Sequence, residues 1–290
     1  MSQPPKNLED WRGAGTLWQH DAGPVFTMSG GNHDARVLLL IHGFPTASWD
    51  WAKIWPALSG EFHCLTLDML GFGFTAKPRK FPYSIRVQAD LFEAFLSAKG
   101  VREYAILAHD YGDTVAQELL ARHNEGTARQ KLTRVALLNG GLFPETHQPV
   151  LLQKLLASPI GPLIARLTSY RKFAANMRRI CALPLSDEEL QGMWQLMNLN
   201  EGMQVMPSLI SYMVERREHR ERWVGAIQQS KVPLRLINGL QDPISGAHMV
   251  ERYRDLIAAP DVVELADAGH YPQVEAPGRV AAAVLEFLRA

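Results

Sequence analysis

Short, unbroken apolar runs recur along the chain, and each is followed by a turn and then by a segment with helical spacing. Continuous rather than alternating hydrophobicity is typical of strands covered on both faces, as in a parallel sheet between layers of helices. The predicted strands are residues 37–41, 62–67, 104–108, 135–138, 234–237 and 262–265. The predicted helices are residues 86–98, 113–122, 247–256 and 279–288. This alternation predicts an α/β fold with a mostly parallel central sheet flanked by helices.

The alternation of strands and helices fails between residues 142 and 229. This stretch has helical spacing, six methionines and several prolines, and it shows no clear strand. Residues 230–290 resume the earlier pattern and need the first part of the chain to complete their sheet. We therefore predict a core formed by residues 1–141 and 230–290, with residues 142–229 inserted as a helical lid. The methionines are most simply core residues, and lining a pocket under the lid is the alternative.

Composition narrows the classes of function. The chain has 290 residues with 30 Lys and Arg against 30 Asp and Glu, so no net positive field favours nucleic acid. A local basic patch is still expected from Arg216, Arg217, Arg220 and Arg222. Having only two cysteines excludes a disulfide framework and argues against a thiolate metal site. The polar N-terminus and the absence of an apolar run of about 18 residues predict a soluble, cytoplasmic protein without a membrane segment.

The turn after the third predicted strand carries a candidate nucleophile. In open parallel sheets, ligands bind at the carboxyl ends of the strands. The turn 108–112 (Ala-His-Asp-Tyr-Gly) has a small residue at each end and Asp110 at its centre, which is the form of a nucleophile elbow. Asp110 could instead cap the following helix, but Asp113 is the better-placed cap. We therefore expect Asp110 to act as the nucleophile.

Two later turns supply a candidate base and its partner. His270 follows the last predicted strand, and histidine suits a general base because its pKa lies near neutral pH. Asp242 follows the strand before it and is expected to orient the imidazole and stabilise its cation. The alternative for Asp242 is a turn residue before a proline. His42 and His109 are interpreted as structural neighbours rather than as second bases.

Together these residues make the chain resemble a known superfamily of enzymes. From the 42–45 loop (His-Gly-Phe-Pro) through Asp110 to Asp242 and His270, it resembles the α/β-hydrolase superfamily, in the branch of the epoxide hydrolases and haloalkane dehalogenases. The strings that resemble the mesoderm-specific transcript proteins are residues 108–120, 139–147 and 222–226. The resemblance implies an α/β-hydrolase fold with a helical lid and the chain order nucleophile, acid, histidine. In some members of this family the acid follows the preceding strand, where Glu145 is the local candidate.

An aspartate nucleophile implies a two-step reaction. Its carboxylate is ionised at neutral pH and can attack an electrophilic carbon, such as one in an epoxide or one bearing a halide, to form an alkyl-enzyme ester. A water that His270 deprotonates then hydrolyses the ester. The backbone N–H groups of Phe44 and Tyr111 are expected to form the oxyanion hole for this second step. Gly71 and Gly73 lack the third glycine of a dinucleotide fingerprint, and no cofactor or metal is predicted.

The residues that would bind the electrophile give mixed indications. Epoxide hydrolases use two lid tyrosines to bind the opening ring oxygen, and the lid here contains Tyr170 and Tyr212. Near the expected position of one such tyrosine the chain has Met193 and Trp194 instead. Dehalogenases bind the leaving halide with N–H donors, typically a Trp directly after the nucleophile, where this chain has Tyr111. Trp194, Tyr170 and Tyr212 are candidate substrate-binding residues, with packing inside the lid as the alternative.

The favoured expectation is a hydrolase that acts on a small, largely apolar epoxide. The alternatives are a haloalkane dehalogenase, an ester hydrolase, and a non-catalytic binding protein on the same fold. A complete set of nucleophile, acid and base argues against the binding protein, because a receptor does not need a base and its orienting acid. The expected partner is a small-molecule substrate, and nucleic acid is not expected. Phe44, Trp194 and Tyr212 are predicted to form a largely nonpolar pocket with the apolar face of the lid.

Overall fold

The fold centres on a single sheet. The computed structural model describes Pro5 and residues 7–290. Its strands are β1 Thr16–His20, β2 Gly23–Gly30, β3 Val37–Ile41, β4 His63–Leu67, β5 Glu103–His109, β6 Lys131–Leu138, β7 Leu234–Gly239 and β8 Val262–Leu265. Within the described residues these eight strands form one sheet in the order β1-β2-β4-β3-β5-β6-β7-β8. The strands β3 to β8 pair in parallel, and the β1–β2 hairpin runs antiparallel to β4 at one edge.

The predicted α/β class and its six strands are confirmed, since the apolar runs appear as β3 to β8. The sequence pattern does not predict β1 and β2. Thr16, Leu17 and Gln19 are exposed in β1, which lies at the edge of the sheet, and so this strand lacks a continuous apolar run. Because an edge hairpin is covered on only part of its surface, its sequence shows no strong periodic pattern of apolar residues.

Helices cover the sheet and occupy the segment between β6 and β7. They are α1 Leu8–Ala14, α2 Trp55–Ser59, α3 Ile85–Ala98, α4 Tyr111–Glu125, α5 Leu151–Leu156, α6 Gly161–Leu167, α7 Tyr170–Ile180, α8 Asp187–Asn198, α9 Met206–Leu209, α10 Tyr212–Glu218, α11 Arg220–Gln228, α12 Ala247–Leu256, α13 Pro272–Glu275 and α14 Pro277–Arg289. Short 3₁₀ helices lie at Ser48–Trp51 and Leu199–Gln204. Among the helices of the described chain, none is both long enough and apolar enough to span a membrane.

Alternate side chains of the central strands point into two different cores. In β3, Leu39 and Ile41 pack in the core that contains α3, α4 and α11, whereas Leu38 and Leu40 pack in the core that contains α2 and α14. Because both faces of the strand are covered, no position needs a polar residue. Burying one such leucine contributes about 1.5–3 kcal/mol of transfer free energy.

The segment 142–229 contains the helices α5 to α11 and no strand. Serine side chains start two of these helices: Ser169 accepts a hydrogen bond at the start of α7, and Ser186 forms a capping box with Glu189 at the start of α8. The last helix, α11, packs along α4, and the indole N–H of Trp223 donates to Glu118 at 2.8 Å. The end of the inserted segment is therefore fastened to a helix of the core.

Candidate active site

Asp110 lies in a sharp turn between the end of β5 and the start of α4. Its φ of 49° and ψ of −105° are unusual for a residue with a side chain. Such backbone strain is typical of a nucleophile elbow. A β-carbon at position 112 would collide with the carbonyl oxygen of Ile41, so Gly112 is required for the close approach of the turn to β3.

The Asp110 carboxylate is buried and is contacted from two sides. Its Oδ2 accepts a hydrogen bond from the Phe44 N–H at 3.1 Å. Arg216, on helix α10, donates from Nη2 to the Asp110 carbonyl oxygen at 3.0 Å, and the same nitrogen lies 3.8 Å from Oδ1. Oδ1 has no hydrogen-bond partner in the described part of the chain. Tyr111 is the first residue of α4, where an N–H group has no partner within its own helix.

His270 and Asp242 form a buried pair at the carboxyl ends of β8 and β7. His270 Nδ1 donates to Asp242 Oδ2 at 2.8 Å. The same oxygen accepts hydrogen bonds from Ser245 at 2.8 Å and Asn139 at 3.0 Å, and Oδ1 accepts one from the Ile244 N–H at 2.8 Å. Burial opposes the charge on Asp242, but His270 and the other donors outweigh it and lower the pKa of this carboxyl. Asp242 is therefore ionised and fixed in orientation.

The protonation state of His270 depends on both aspartates. Burial by itself would lower the pKa of His270, but the charge and hydrogen bond of Asp242, with the charge of Asp110, raise it to about 9. The imidazole is therefore a cation at neutral pH while both carboxylates are ionised. If the Asp110 carboxylate becomes an ester, its contribution disappears and the pKa of His270 falls toward the range of a general base.

Asn139, directly after β6, is a site residue that the sequence pattern does not identify. Its amide oxygen accepts a hydrogen bond from the Gly239 N–H at 2.7 Å, and its amide nitrogen donates to the Gly239 carbonyl and to Asp242 Oδ2, each at 3.0 Å. Ser245 Oγ lies 2.6 Å from the Asn139 carbonyl oxygen, so its single proton is shared between that oxygen and Asp242 Oδ2. Asn139 therefore joins the ends of β6 and β7 and holds Asp242 in place. Two features could have drawn attention to it: its position directly after a buried strand, and its place at the start of the 139–147 string.

Glu145, the alternative acid, does not contact His270. Its carboxylate pairs with Arg220 at 2.6 Å and with Arg252 at 3.1 Å. The hydrogen bonds of these two guanidinium groups lower the pKa of Glu145 to about 2. The carboxylate that contacts His270 is that of Asp242.

The expected basic patch at 216–222 is wrong. Arg216 is 3% exposed and lies at Asp110. Arg220 pairs with Glu145, and Arg222 binds Glu118 at 2.8 Å. Three of the four arginines are therefore held by acidic groups of the protein, and Arg217 alone is exposed without an ion pair in the described residues, so the four do not form a positive surface.

His42 and His109 are buried beside the site and brace its loops. His42 Nε2 accepts a hydrogen bond from the Met69 N–H at 3.0 Å, and Nδ1 donates to the Gly43 carbonyl at 2.9 Å. His109 Nε2 donates to the carbonyl of His270 at 2.7 Å. Burial lowers the pKa of His42 to about 3 and that of His109 to about 4, so both rings are neutral.

A polar cluster of Arg216, Tyr212 and His147 lies beside Asp110. Arg216 Nη1, the Tyr212 hydroxyl and both ring nitrogens of His147 are buried and make no hydrogen bond of normal geometry within the described chain. The guanidinium lies 4.4 Å from the centre of the Tyr212 ring. A β-carbon at Gly141 would collide with both Arg216 Nη1 and His147 Nδ1, so these two nitrogens face the same small space. Burial and the Arg216 charge lower the pKa of His147 to about 3, so its ring is neutral.

Only Tyr212 of this polar cluster is expected from the sequence. Arg216 lies in a run of arginines, which suggests a surface, and His147 ends the 139–147 string that resembles the mesoderm-specific transcript proteins, but no catalytic motif identifies it. Arg216 reaches the site through its contact with Thr114 of α4, and His147 through its position at Gly141.

Tyr170 and Trp194 lie in the lid and contact each other. Their ring centres are 6.3 Å apart, and Trp194 also packs against Phe173 at 5.6 Å. Of the three residues predicted to form the pocket, Phe44 lines the cavity next to His270, whereas Trp194 and Tyr212 do not. Tyr170 is also absent from the lining, as its neighbour Trp194 is. Their placement agrees with packing inside the lid rather than with substrate contact.

An apolar cavity lies between the lid and the carboxyl ends of the strands. The core contributes Phe44, Pro45, Ile244 and His270 to its lining. The lid contributes Val150, Leu152, Gln153, Leu156, Thr168, Phe173, Asn176, Met177, Ile180, Met197, Met203 and Met206. Four of the six methionines in residues 142–229 therefore line a pocket, in keeping with their flexible and polarisable side chains. No group of three or more His, Cys, Asp or Glu side chains in the described residues is arranged to hold a metal ion.

Arg216→Leu is expected to lower the free energy of unfolding by about 3–5 kcal/mol, because it leaves the buried Asp110 carboxylate without its cation. It also removes the hydrogen bond from Nε to the Thr114 hydroxyl at 2.7 Å. Urea unfolding measures the change. The matched control is Arg217→Leu, which alters an exposed neighbour and is expected to change stability by no more than about 0.5 kcal/mol. Equal effects of the two substitutions would contradict the role of Arg216 at Asp110.

Comparisons with known proteins identify the family of the chain. The model of the α/β-hydrolase fold family matches residues 36–277. The putative hydrolase LipZ of Mycobacterium tuberculosis is 39% identical over 284 residues, which cover 97% of this chain and 98% of LipZ. The human mesoderm-specific transcript homolog protein is 39% identical over 282 residues, which cover 93% of this chain and 84% of that protein. The resemblance found in the sequence is confirmed.

Solved structures show the same fold. A loop variant of haloalkane dehalogenase DbeA from Bradyrhizobium elkanii superimposes with a TM-score of 0.78 over 95% of this chain and 96% of that chain, at 20% identity. At this identity the likeness extends to the fold alone. With the elbow at Asp110, the family match over most of the chain and two relatives matched over nearly all of it, the chain is a hydrolase that belongs to the α/β-hydrolase fold family.

Proposed function

We propose that this hydrolase uses the Asp110 carboxylate to attack a small, largely apolar electrophile, and that an epoxide suits the site best. The observation that carries the proposal is the state of Asp110. It is a buried carboxylate in a strained turn, with Oδ2 bound by the Phe44 N–H and Oδ1 without a hydrogen bond from any residue that the structure describes. A carboxylate in this state needs no base to activate it.

In the first step, Oδ1 of Asp110 attacks a ring carbon and the carbon–oxygen bond of the epoxide breaks. An ester forms, and the negative charge moves from Asp110 to the former ring oxygen. The Tyr212 hydroxyl is a buried donor in the polar cluster beside Asp110 that can bind this oxygen. The oxygen gains one proton, whose source is the His270 cation, and the step therefore ends with a neutral imidazole.

In the second step, neutral His270 takes a proton from water, and the hydroxide attacks the ester carbonyl. The N–H groups of Phe44 and Tyr111 stabilise the oxyanion. The ester then releases the diol and restores the Asp110 carboxylate, with the remaining proton on His270. This outcome is the resting state, in which Asp110 and Asp242 raise the pKa of His270 to about 9.

The surroundings of Asp110 support an apolar epoxide. The adjacent cavity, whose lining includes Phe44 and His270 but not Asp110 itself, has mainly aliphatic, methionine and aromatic side chains, which favour an apolar substrate. A ring oxygen that gains charge and then a proton suits an O–H donor such as Tyr212 beside the neutral ring of His147. The indole N–H that dehalogenases place directly after the nucleophile is replaced by Tyr111, which packs against Tyr212 at 4.9 Å.

A haloalkane is the second candidate, because the unpartnered Arg216 Nη1 is a cationic donor that could stabilise a leaving halide. A panel of epoxides, bromoalkanes and nitrophenyl esters, with diol, bromide and nitrophenol detected separately, distinguishes the candidates. Diol from epoxides is the expected result. Bromide release without diol would replace the epoxide by a haloalkane, and nitrophenol alone would indicate an ester hydrolase. Binding of these reagents without any product would indicate a binding protein.

Asp242→Asn is expected to slow hydrolysis of the ester by about 10²–10⁴-fold, since His270 loses the carboxylate that orients it and stabilises its cation. The substitution also removes the main influence that raises the pKa of His270 to about 9, so this pKa falls. The rate of ester decay, measured against pH, should show its inflection at a lower pH than in the wild type. Asp267→Asn is the matched control, because Asp267 is exposed between β8 and His270. A profile in Asp242→Asn with the wild-type inflection would contradict this assignment.

A further inference from the structure

The lid exposes an apolar patch. Ile160, Leu163 and Leu167 follow each other at positions i, i+3 and i+7, so they share one face of α6, and they are 53%, 55% and 59% exposed. Leu151, at the start of α5, is 65% exposed, and α5 packs against α6. We refer to these four residues as the apolar patch. Clusters of exposed aliphatic side chains on a folded protein mark a surface that binds a partner.

The segment that carries the apolar patch is strongly cationic. Residues 146–186 contain six Lys and Arg and no Asp or Glu, although the charges of the whole chain balance. Within the described residues, Arg178 pairs with Asp187 at 2.9 Å. The exposed cations of this segment without a carboxylate partner in the described chain are Lys154, Arg166, Arg171, Lys172 and Arg179. The Lys172 ammonium donates to the carbonyl oxygen of Leu167 at 3.3 Å, so a cation lies directly beside the apolar patch.

We propose that the outer surface of α5, α6 and the start of α7 docks on a membrane whose surface is anionic. Aliphatic side chains flanked by lysine and arginine suit the boundary between lipid headgroups and acyl chains, where the apolar groups are buried and the cations meet phosphate. A second copy of this chain fits less well, because a symmetric contact would bring like charges together. Nucleic acid would pair with the cations but would leave the apolar patch exposed.

Docking in this way would place the cavity close to the bilayer. The other sides of the same helices line the cavity, through Leu152 and Leu156 on α5 and through Phe173 and Met177 on α7. A helix with its side chains is about 10 Å across, so the cavity would lie about one helix diameter from the lipid. This inference does not rest on the chemistry of Asp110, because its test measures binding alone.

Flotation of the full-length protein with lipid vesicles tests the proposal. The expected result is that the wild type floats with vesicles of phosphatidylcholine and phosphatidylglycerol in equal parts, floats much less with phosphatidylcholine alone, and is released by high salt. Each juxtamembrane cation strengthens partition by about fivefold, so Arg171→Glu with Lys172→Glu should weaken it by at least about 25-fold. Leu163→Ser with Leu167→Ser should also abolish flotation, because the apolar anchor is lost.

Matched controls separate the surface from general effects of charge and hydrophobicity. Leu17→Ser removes a similarly exposed leucine from β1, and Lys80→Glu with Arg102→Glu reverses two exposed cations outside the lid. These variants should float like the wild type. Failure of the wild type to float with anionic vesicles would overturn the proposal, as would equal loss in the controls. Self-association that Leu163→Ser with Leu167→Ser abolishes, seen by sedimentation without vesicle binding, would assign the surface to a second copy instead.

Discussion

His270→Gln is expected to stop the reaction after its first step and to accumulate an alkyl ester on Asp110. The carboxylate needs no base in order to attack, whereas the water that hydrolyses the ester does. Losing a general base slows the step that depends on it by about 10²–10⁴-fold, which makes the ester the dominant species. A bromoalkane is the sharpest reagent, because bromide leaves without needing a proton from His270. Intact mass and peptide mapping after incubation measure the mass increment on the peptide that contains Asp110.

The control for this experiment is His33→Gln, which alters an exposed histidine on the loop before β3. This variant should turn over the reagent and retain no added mass. The same incubation with an epoxide tests whether His270 is also the source of the proton for the ring oxygen, since ester formation from the epoxide alone should then be slowed. If the wild type turns over the bromoalkane while His270→Gln retains no mass from it on the Asp110 peptide, the two-step mechanism is wrong.

Asp110→Asn is expected to reduce turnover by at least about 10⁴-fold, because the nucleophile is lost while the shape of the side chain is kept.

The role of Asp110 as nucleophile also predicts which atom supplies the product oxygen. In a single turnover of the wild type in ¹⁸O-water, the product should be unlabelled and the label should enter the Asp110 carboxylate, since the oxygen given to the product comes from Asp110. Product mass and the mass of the Asp110 peptide measure the two outcomes.

Asp113→Asn is the matched control, because Asp113 is also buried and lies three residues further along the chain in α4. Burial, which outweighs its hydrogen bond from the Leu138 N–H, raises the pKa of Asp113 well above its usual range. The amide oxygen of Asn can accept the same hydrogen bond from the Leu138 N–H, so the isosteric substitution should retain activity. Labelled product in the first turnover would show that water attacks the substrate directly and would remove Asp110 from the role of nucleophile.

Much of the core could be predicted because its determinants are local. Each central strand is buried on both faces. A strand in this position requires apolar side chains at successive positions, and β3 and β5 therefore contain unbroken apolar runs. The elbow is local for a similar reason, since the close approach to Ile41 requires glycine at position 112. The edge hairpin of β1 and β2 carries no such constraint, and its pattern is correspondingly weak.

The arrangement around Asp110 depends on contacts between segments far apart in the chain. Arg216 and Asp110 are separated by 106 positions in the sequence, and no local sequence pattern around either residue indicates that the two are in contact. A run of arginines is most often a solvated surface, because leaving a guanidinium in water costs nothing. Here the guanidinium of Arg216 is buried against Asp110 and the Thr114 hydroxyl, which compensates its desolvation.

The sequence by itself determined the fold class, the strand ends that carry Asp110, Asp242 and His270, and the order of those residues along the chain. Periodicity and turn chemistry are read within a few residues, and parallel strands bring their carboxyl ends to one edge of the sheet. Only the tertiary structure decided that Asn139 holds Asp242, that Glu145 pairs with arginines instead of His270, and that Tyr170 and Trp194 lie away from the cavity. These outcomes depend on which of several similar polar side chains is buried beside which partner. That choice is set by how the lid packs on the core, because a buried charge is stable only where a partner from another segment meets it.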